Sequence, residues 1–321
     1  MVNVSVVICT YNRCESLRET LESVFCQKVN RGLTYEILIV DNNSKDRTKK
    51  MVEEFRLKKK NLFRYVFEGQ QGVAYARNTG VKNAHGEIVA FLDDDVIASP
   101  DWLQAIWNCF QETPADAVGG KVERKWNCRQ PRWYSEELGG CLISQDLGSE
   151  RKLWNSERQH MVGANMAFRK EALERYGYFV DALGRKGEAL RGGEDREIFQ
   201  RFMKKGASIF YEPKAAVAHK VEKERVSRKY MRSWFLEIGK TLGHISEKKW
   251  YHRLSVVPFW EWKELFRSLF RYVLAQFKIK SNEAERFASE MWVRYHSGIL
   301  KESFLHWLPF GIGRRGCAFR N

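Results

Sequence analysis

Three almost unbroken apolar runs constrain this chain more than any other feature: "VSVVICT" at 4–10, "YEILIVD" at 35–41 and "GEIVAFLDDD" at 86–95. Each is about one strand long and none alternates apolar with polar, which is how a strand buried on both faces reads. A fourth run, "FRYVFEG" at 63–69, is weaker but β-rich. Helical spacing fills the gaps: Leu17, Leu21, Val24 and Phe25 in "ESLRETLESVFCQ", then "KDRTKKMVEEF", then "GVAYARNTGVKNA" behind Gly72. Strand and helix in strict turn, joined by short connections, predict a parallel sheet with helices on both faces. Ligands of such sheets gather beyond the carboxyl ends of the strands. Those ends carry Thr10, Asp41, Glu68 and the triplet Asp93, Asp94 and Asp95.

Three consecutive carboxylates repel one another unless something positive joins them. A solvated acidic turn is the plain reading, and a cation site is the functional one. Further along, "DWLQAIWNCFQE" reads as a helix, "DAVGGKVERKW" as a strand, and residues 127–160 as irregular, rich in Trp, Arg and Gly. "VGANMAFRKEAL" starts extended and turns helical. "GGEDREIFQRFMKKG" is a helix with acids in its first turn, and "ASIFYEPKAAVAH" is a strand in which Pro213 marks a turn or an edge.

Four features coincide with this order: "CTYNR" after the first strand, "VDNNS" after the second, "GVAYARNTGV" after the third, and "DDD" after the fourth. With "VGAN" at 162–165, "GGED" at 192–195 and "VAH" at 217–219, the set resembles the family 2 glycosyltransferases over roughly residues 1–220. The resemblance implies a GT-A fold, a Rossmann-like, mostly parallel sheet with helices on both faces. It also implies transfer of a sugar from a nucleotide-diphosphate donor, UDP-sugars being the commonest. Asp93 and Asp95 match the DxD motif, whose hard oxygens suit Mn²⁺ or Mg²⁺, with His219 at a position that can complete the metal site. Thr10, Tyr11, Arg13, Asp41, Asn42, Gly72, Arg77, Asp93 and Asp94 fall where the family holds the donor. Asn42 stands where many relatives have a second Asp, which leaves the base open. Gly163, Asn165 and Glu194 match the acceptor side, and Asp195 matches the base that takes the acceptor's proton in an inverting transfer. One of Trp126, Trp133 and Trp154 is expected to stack on sugar.

Composition sets the remaining expectations. At 321 residues, 44% hydrophobic and 30% charged, the chain is globular, with no apolar run of membrane-spanning length. Its N-terminus reads as a strand, not as a leader. Seven cysteines without a CxxC pair point away from a disulfide framework or zinc ribbon and toward a reducing compartment. The net charge is +15, and 20 of the 55 basic residues but only 10 of the 40 acidic ones follow residue 220. Two domains are expected. Residues 1–220 would be catalytic, with a nucleotide-sugar half at about 1–100 and an acceptor half at about 101–220. Residues 221–321 would form a basic helical region. Its pattern "FWEWKELFRSLFRYVLAQFKIK" suits either packing on protein or an anionic membrane surface. A saccharide or lipid-linked acceptor would place the protein in the cytoplasm, at the membrane's cytoplasmic face. Basic charge alone would also allow a nucleic-acid binder, but no nucleic-acid motif is present; the fold and metal would allow a nucleotidyltransferase, against which the "GGED" match favours the glycosyltransferase. The absence of a dinucleotide fingerprint argues against a dehydrogenase, and a P-loop is absent too.

Overall fold

The computed structural model describes residues 2–155, 159–187, 189–247, 259–277 and 282–307. They fall into two compact units: the chain up to Pro131 with Glu136–Ser227, and Arg132–Ser135 with the chain from Arg228 on.

The first unit is built on one nine-stranded sheet. In chain order it contains β1 (Val4–Thr10), α1 (Cys14–Phe25), β2 (Tyr35–Asp41), α2 (Thr48–Lys58), β3 (Phe63–Phe67), α3 (Val73–Asn83), β4 (Ile88–Asp93) and β5 (Val96–Ala98). Then come α4 (Trp102–Glu112), β6 (Ala117–Trp126), β7 (Lys152–Leu153), β8 (Asn165–Arg169), α5 (Lys170–Tyr176), α6 (Glu194–Lys204) and β9 (Ile209–Val221). The strand order is β3-β2-β1-β4-β8-β6-β9-β5, with β7 paired to β9. Strands β1 to β4 are mutually parallel, β8 runs antiparallel between β4 and β6, and β6 and β9 are parallel. The unbroken apolar runs follow from this layering. Val4, Val6, Ile8, Ile37, Ile39, Ile88 and Ala90 face a core shared with α1, α2 and α4. Their alternates Val7, Leu38, Val40, Val89 and Phe91 face a second core shared with α3, α5 and α6.

Two details position the site. Asp93 ends β4, Asp94 and Asp95 form the turn into β5, and β5 pairs antiparallel with β9 so that Val96 lies opposite His219. That register sets His219 beside the acidic turn. The β6–β9 ladder jumps register at Gly120/Lys121, where Glu212 is followed in pairing by Ala216, so Pro213 sits in the irregularity rather than on a free edge.

The second unit contains α7 (Arg228–Glu247), α8 (Phe259–Phe277) and α9 (Glu283–Trp307). The end of the predicted α8 pattern, residues 278–280, lies outside the described residues. Glycines let α7 and α9 touch backbone to backbone: a Cβ on Gly239 would sit 2.1 Å from the Tyr295 carbonyl, and one on Gly298 2.3 Å from that of Leu236.

Candidate functional site

The three aspartates have three different environments. Asp94 is buried, accepting from the Thr10 hydroxyl at 2.7 Å and from Arg13 Nη1 at 3.1 Å. Burial pushes its carboxyl up, against the pull of Arg13. Asp95 is also buried, and its Oδ2 accepts from Arg13 Nη1 at 2.6 Å and Arg225 Nη2 at 2.5 Å. Burial would raise Asp95 too, but Arg225, His219 and Arg13 outweigh it and hold the carboxyl well below the usual range. Asp93 keeps a third of its side chain exposed and accepts from Arg77 Nη2 at 3.3 Å. Arg13 reaches the turn because Asn12, in a left-handed conformation, reverses the chain between β1 and α1.

His219 is fully buried, its Nε2 3.6 Å from Asp95 Oδ1 and 2.8 Å from Arg225 Nη1. Asp95 Oδ1 and His219 Nδ1 are buried without a hydrogen-bond partner. Among the described residues, no three His, Cys, Asp or Glu side chains converge as a metal site. Asp95 and His219 fit a divalent cation as a two-residue donor set, with a partnerless carboxylate oxygen and an accepting imidazole nitrogen. Asp93, turned to Arg77, stands apart from that pair. Arg225 was not visible to sequence reasoning: it is one basic residue among several after β9, and only the fold brings it to Asp95.

Arg77 joins the turn to the head of α6. Its guanidinium is buried, with Nη1 donating to Glu194 at 2.7 Å, Nη2 donating to Asp93, and its face lying 5.4 Å from the Phe179 ring centroid. It is therefore no surface helix residue. Glu194 is buried and its carboxyl raised, by burial first and by Asp195 second. Asp195 follows Gly193, which takes the left-handed conformation at φ 92° before α6. Backbone N–H groups orient the carboxylate: Gly163 donates to Oδ2 at 3.0 Å and Arg196 to Oδ1 at 2.8 Å. Gly163 is wedged between the two, since a Cβ there would lie 2.4 Å from Arg77 Nη2. His160, another residue the sequence did not single out, feels the Asp195 charge, although burial holds its imidazole below the ordinary value.

The glycosyl transferase family 2 model matches residues 5–177, more than half of the chain. The chain belongs to that family. A glucosyl-dolichyl phosphate glucuronosyltransferase of Haloferax volcanii is 29% identical over 228 residues, 68% of this chain and 70% of the relative. The succinoglycan biosynthesis protein ExoM of Rhizobium meliloti is 28% identical over 250 residues, 77% and 76%. Among solved structures, the mannosyltransferase PcManGT of Pyrobaculum calidifontis, in complex with GDP-Man and Mn²⁺, superposes with a TM-score of 0.64 at 20% identity, over 96% of this chain and 88% of that one. TarS of S. aureus with UDP-GlcNAc gives 0.54 at 18%, over 98% and 95%. The fold is that of the GT-A glycosyltransferases.

In this family 2 glycosyltransferase several of the expected contact residues have internal partners that tie the framework together. Asn165 is fully buried, donating to the Lys121 and Ala215 carbonyls at 3.0 and 2.7 Å and accepting from Trp102 Nε1 at 2.9 Å. It ties β8 to β6, β9 and α4 and offers no surface to an acceptor. Asn42 donates to the Glu68 and Gln70 carbonyls and accepts from Gly72 N and Gln71 Nε2, which holds the loop ahead of α3. Both Asp41 oxygens accept internally, from Ser44 N at 2.9 Å and the Tyr65 hydroxyl at 2.8 Å. Gly72 needs its missing side chain: φ is 150° and a Cβ would press Tyr75 at 3.1 Å. Trp154 packs in the core against Phe199 and Tyr211, Trp133 packs on Phe287, and Trp126 ends β6 opposite Val221. Tyr11 is half-buried in the loop after β1.

Proposed function

We propose that this chain transfers a sugar, with inversion, from a nucleoside-diphosphate donor to a hydroxyl of a saccharide or lipid-linked saccharide. One observation carries the reading: Arg77 is held at once by Asp93 of the acidic turn and Glu194 at the head of α6. The donor end and the proton-accepting end of the reaction are thereby fixed to one guanidinium. In this reading Thr10, Tyr11 and Arg13 receive base and ribose, Asp93 faces the ribose, and Asp94 is the buried anchor of Arg13. Asp195 takes the acceptor's proton as its oxygen attacks the anomeric carbon. The two backbone N–H groups on that carboxylate keep it aimed. Asp95 and His219 would hold Mn²⁺ or Mg²⁺, which supplies charge stabilisation on the leaving diphosphate. Gly163 and Glu194 shape the acceptor side, whereas Asn42 and Asp41 act by positioning loops and Asn165 by tying β8 to β6, β9 and α4.

The solved neighbours hold GDP-Man in one case and UDP-GlcNAc in another, which supports a nucleotide-sugar donor and keeps both bases in play; UDP-sugars are our first choice. The dolichyl phosphate in the name of one relative supports a lipid-linked acceptor. No described helix is long and apolar enough to cross a membrane. Helix α8, however, exposes Phe266, Leu269, Phe270, Val273, Leu274 and Phe277 at helical spacing, and Lys263 and Arg267 of the same helix are also exposed. We assign that apolar set to an anionic membrane surface on the cytoplasmic side. Family membership takes the place of the nucleic-acid and nucleotidyltransferase alternatives. The test is Asp195→Asn assayed against a panel of nucleotide-sugars. The variant should keep nucleotide affinity and lose nucleoside-diphosphate release by about 10²-fold or more; a fully active Asp195→Asn would remove the assignment.

A further inference from the structure

We propose that Arg225 is a resident cation at the metal position of this site, and that the divalent metal and the nucleoside diphosphate must bind together to displace it. The inference rests on the functional reading above.

The guanidinium donates from Nη2 to Asp95 Oδ2 at 2.5 Å and from Nη1 to His219 Nε2 at 2.8 Å. Arginine can only donate, so His219 Nε2 is accepting and its proton sits on Nδ1. The lone pair that would bind a metal is therefore the one Arg225 uses. The arrangement carries a local cost, because Nδ1 and Asp95 Oδ1 are both buried without partners. Arg225 and Arg13 together already balance the two buried carboxylates, Asp94 and Asp95. A dication arriving alone meets two guanidiniums and must leave one of them without its acceptors. A dication arriving with a diphosphate brings compensating negative charge and offers the displaced guanidinium a bidentate partner. The segment that carries Arg225 suits such a movement. It is a single 3₁₀ turn, Lys223–Val226, following β9, and the Arg225 N–H is held by the Glu222 carbonyl of the same turn.

The experiment measures Mn²⁺ affinity by calorimetry and by electron paramagnetic resonance of free Mn²⁺, on the full chain, without nucleotide and with saturating UDP or GDP. Arg225→Met keeps the bulk of the side chain and removes its charge. Without nucleotide it should bind Mn²⁺ at least about tenfold more tightly than the wild type, the scale set by freeing two charge-assisted acceptors. With nucleotide present the advantage should shrink, because the wild-type guanidinium has then moved. A residue that merely supports the fold would leave Mn²⁺ affinity unchanged or lower it, and either result overturns the proposal. If Arg225→Met does not fold, Arg225→Lys keeps the charge but gives up the two-pronged contact; it should show a smaller gain, and no gain overturns the proposal equally. Wild type that binds neither UDP nor GDP with Mn²⁺ overturns the functional reading itself. Wild type that binds one of them while the variants show unchanged Mn²⁺ affinity overturns only the role of Arg225.

Discussion

Gly163→Ala is the smallest change that should disconnect the two halves of the site. Gly163 shows no left-handed backbone, so alanine adds a methyl group and little else. That methyl would stand 2.4 Å from Arg77 Nη2, 3.2 Å from Cζ and 3.3 Å from Nη1. An unstrained contact needs about 3.4 Å, so the guanidinium must retreat by about 1 Å. It has little room, being buried with its face toward Phe179. The Arg77–Asp93 bond, already 3.3 Å, breaks first, and the 2.7 Å bond to Glu194 is then dragged with the side chain. Glu194 adjoins Asp195, so the displacement reaches the proposed base. A misplacement of about 1 Å costs on the order of 10²-fold in rate, about 2.7 kcal/mol of barrier. The assay is nucleoside-diphosphate release with the best donor, alongside thermal melting and nucleotide binding. Folded Gly163→Ala protein with a rate within about threefold of wild type would refute the coupling through Arg77.

Asn165→Ala should lower stability by about 3 kcal/mol or more by orphaning three buried groups, and a double-mutant cycle with Trp102→Phe should show coupling of about 1 kcal/mol. Unchanged stability with an altered acceptor KM would return Asn165 to the acceptor site. Glu36 is buried; burial would raise its carboxyl, but bonds from Ser5, Arg64 and the His85 N–H together hold it below its ordinary 4.5. A depressed folded-state value contributes stability above 4.5 that is lost as pH falls through the folded value, so Glu36→Gln should be less stable than wild type near neutrality and the gap should close in acid. A gap independent of pH in denaturation series would contradict this. On α8, replacing Phe266, Phe270 and Phe277 with Ser should abolish flotation with anionic vesicles while leaving nucleotide binding intact; equal flotation of both proteins would discard the membrane assignment.

Strands β1, β2 and β4 were readable because two-sided burial leaves an unbroken apolar signature. Three-residue β5 is too short for any period to register, yet its pairing with β9 is what delivers His219 to Asp95. Helix α9 was not singled out, because close helix packing through Gly298 replaces part of its apolar stripe with small residues. Of the proposed site residues, Asp93–Asp95, Asp195 and His219 stand out in the sequence at the ends of strands and at a helix start. The roles of Asn42 and Asn165 did not, since an amide that clamps the framework has the same letter as one that binds sugar. Arg225 was hidden for a related reason: its partner Asp95 is 130 residues away, and only the sheet order joins them.

The most direct test of the central claim, that the acidic turn binds a nucleoside diphosphate with a metal, is calorimetric titration of UDP, GDP and dTDP with and without Mn²⁺, on wild type and on Asp95→Ala. The structure predicts Mn²⁺-dependent binding of one nucleotide that Asp95→Ala loses. No binding by folded wild type, or equal binding by Asp95→Ala, would contradict it.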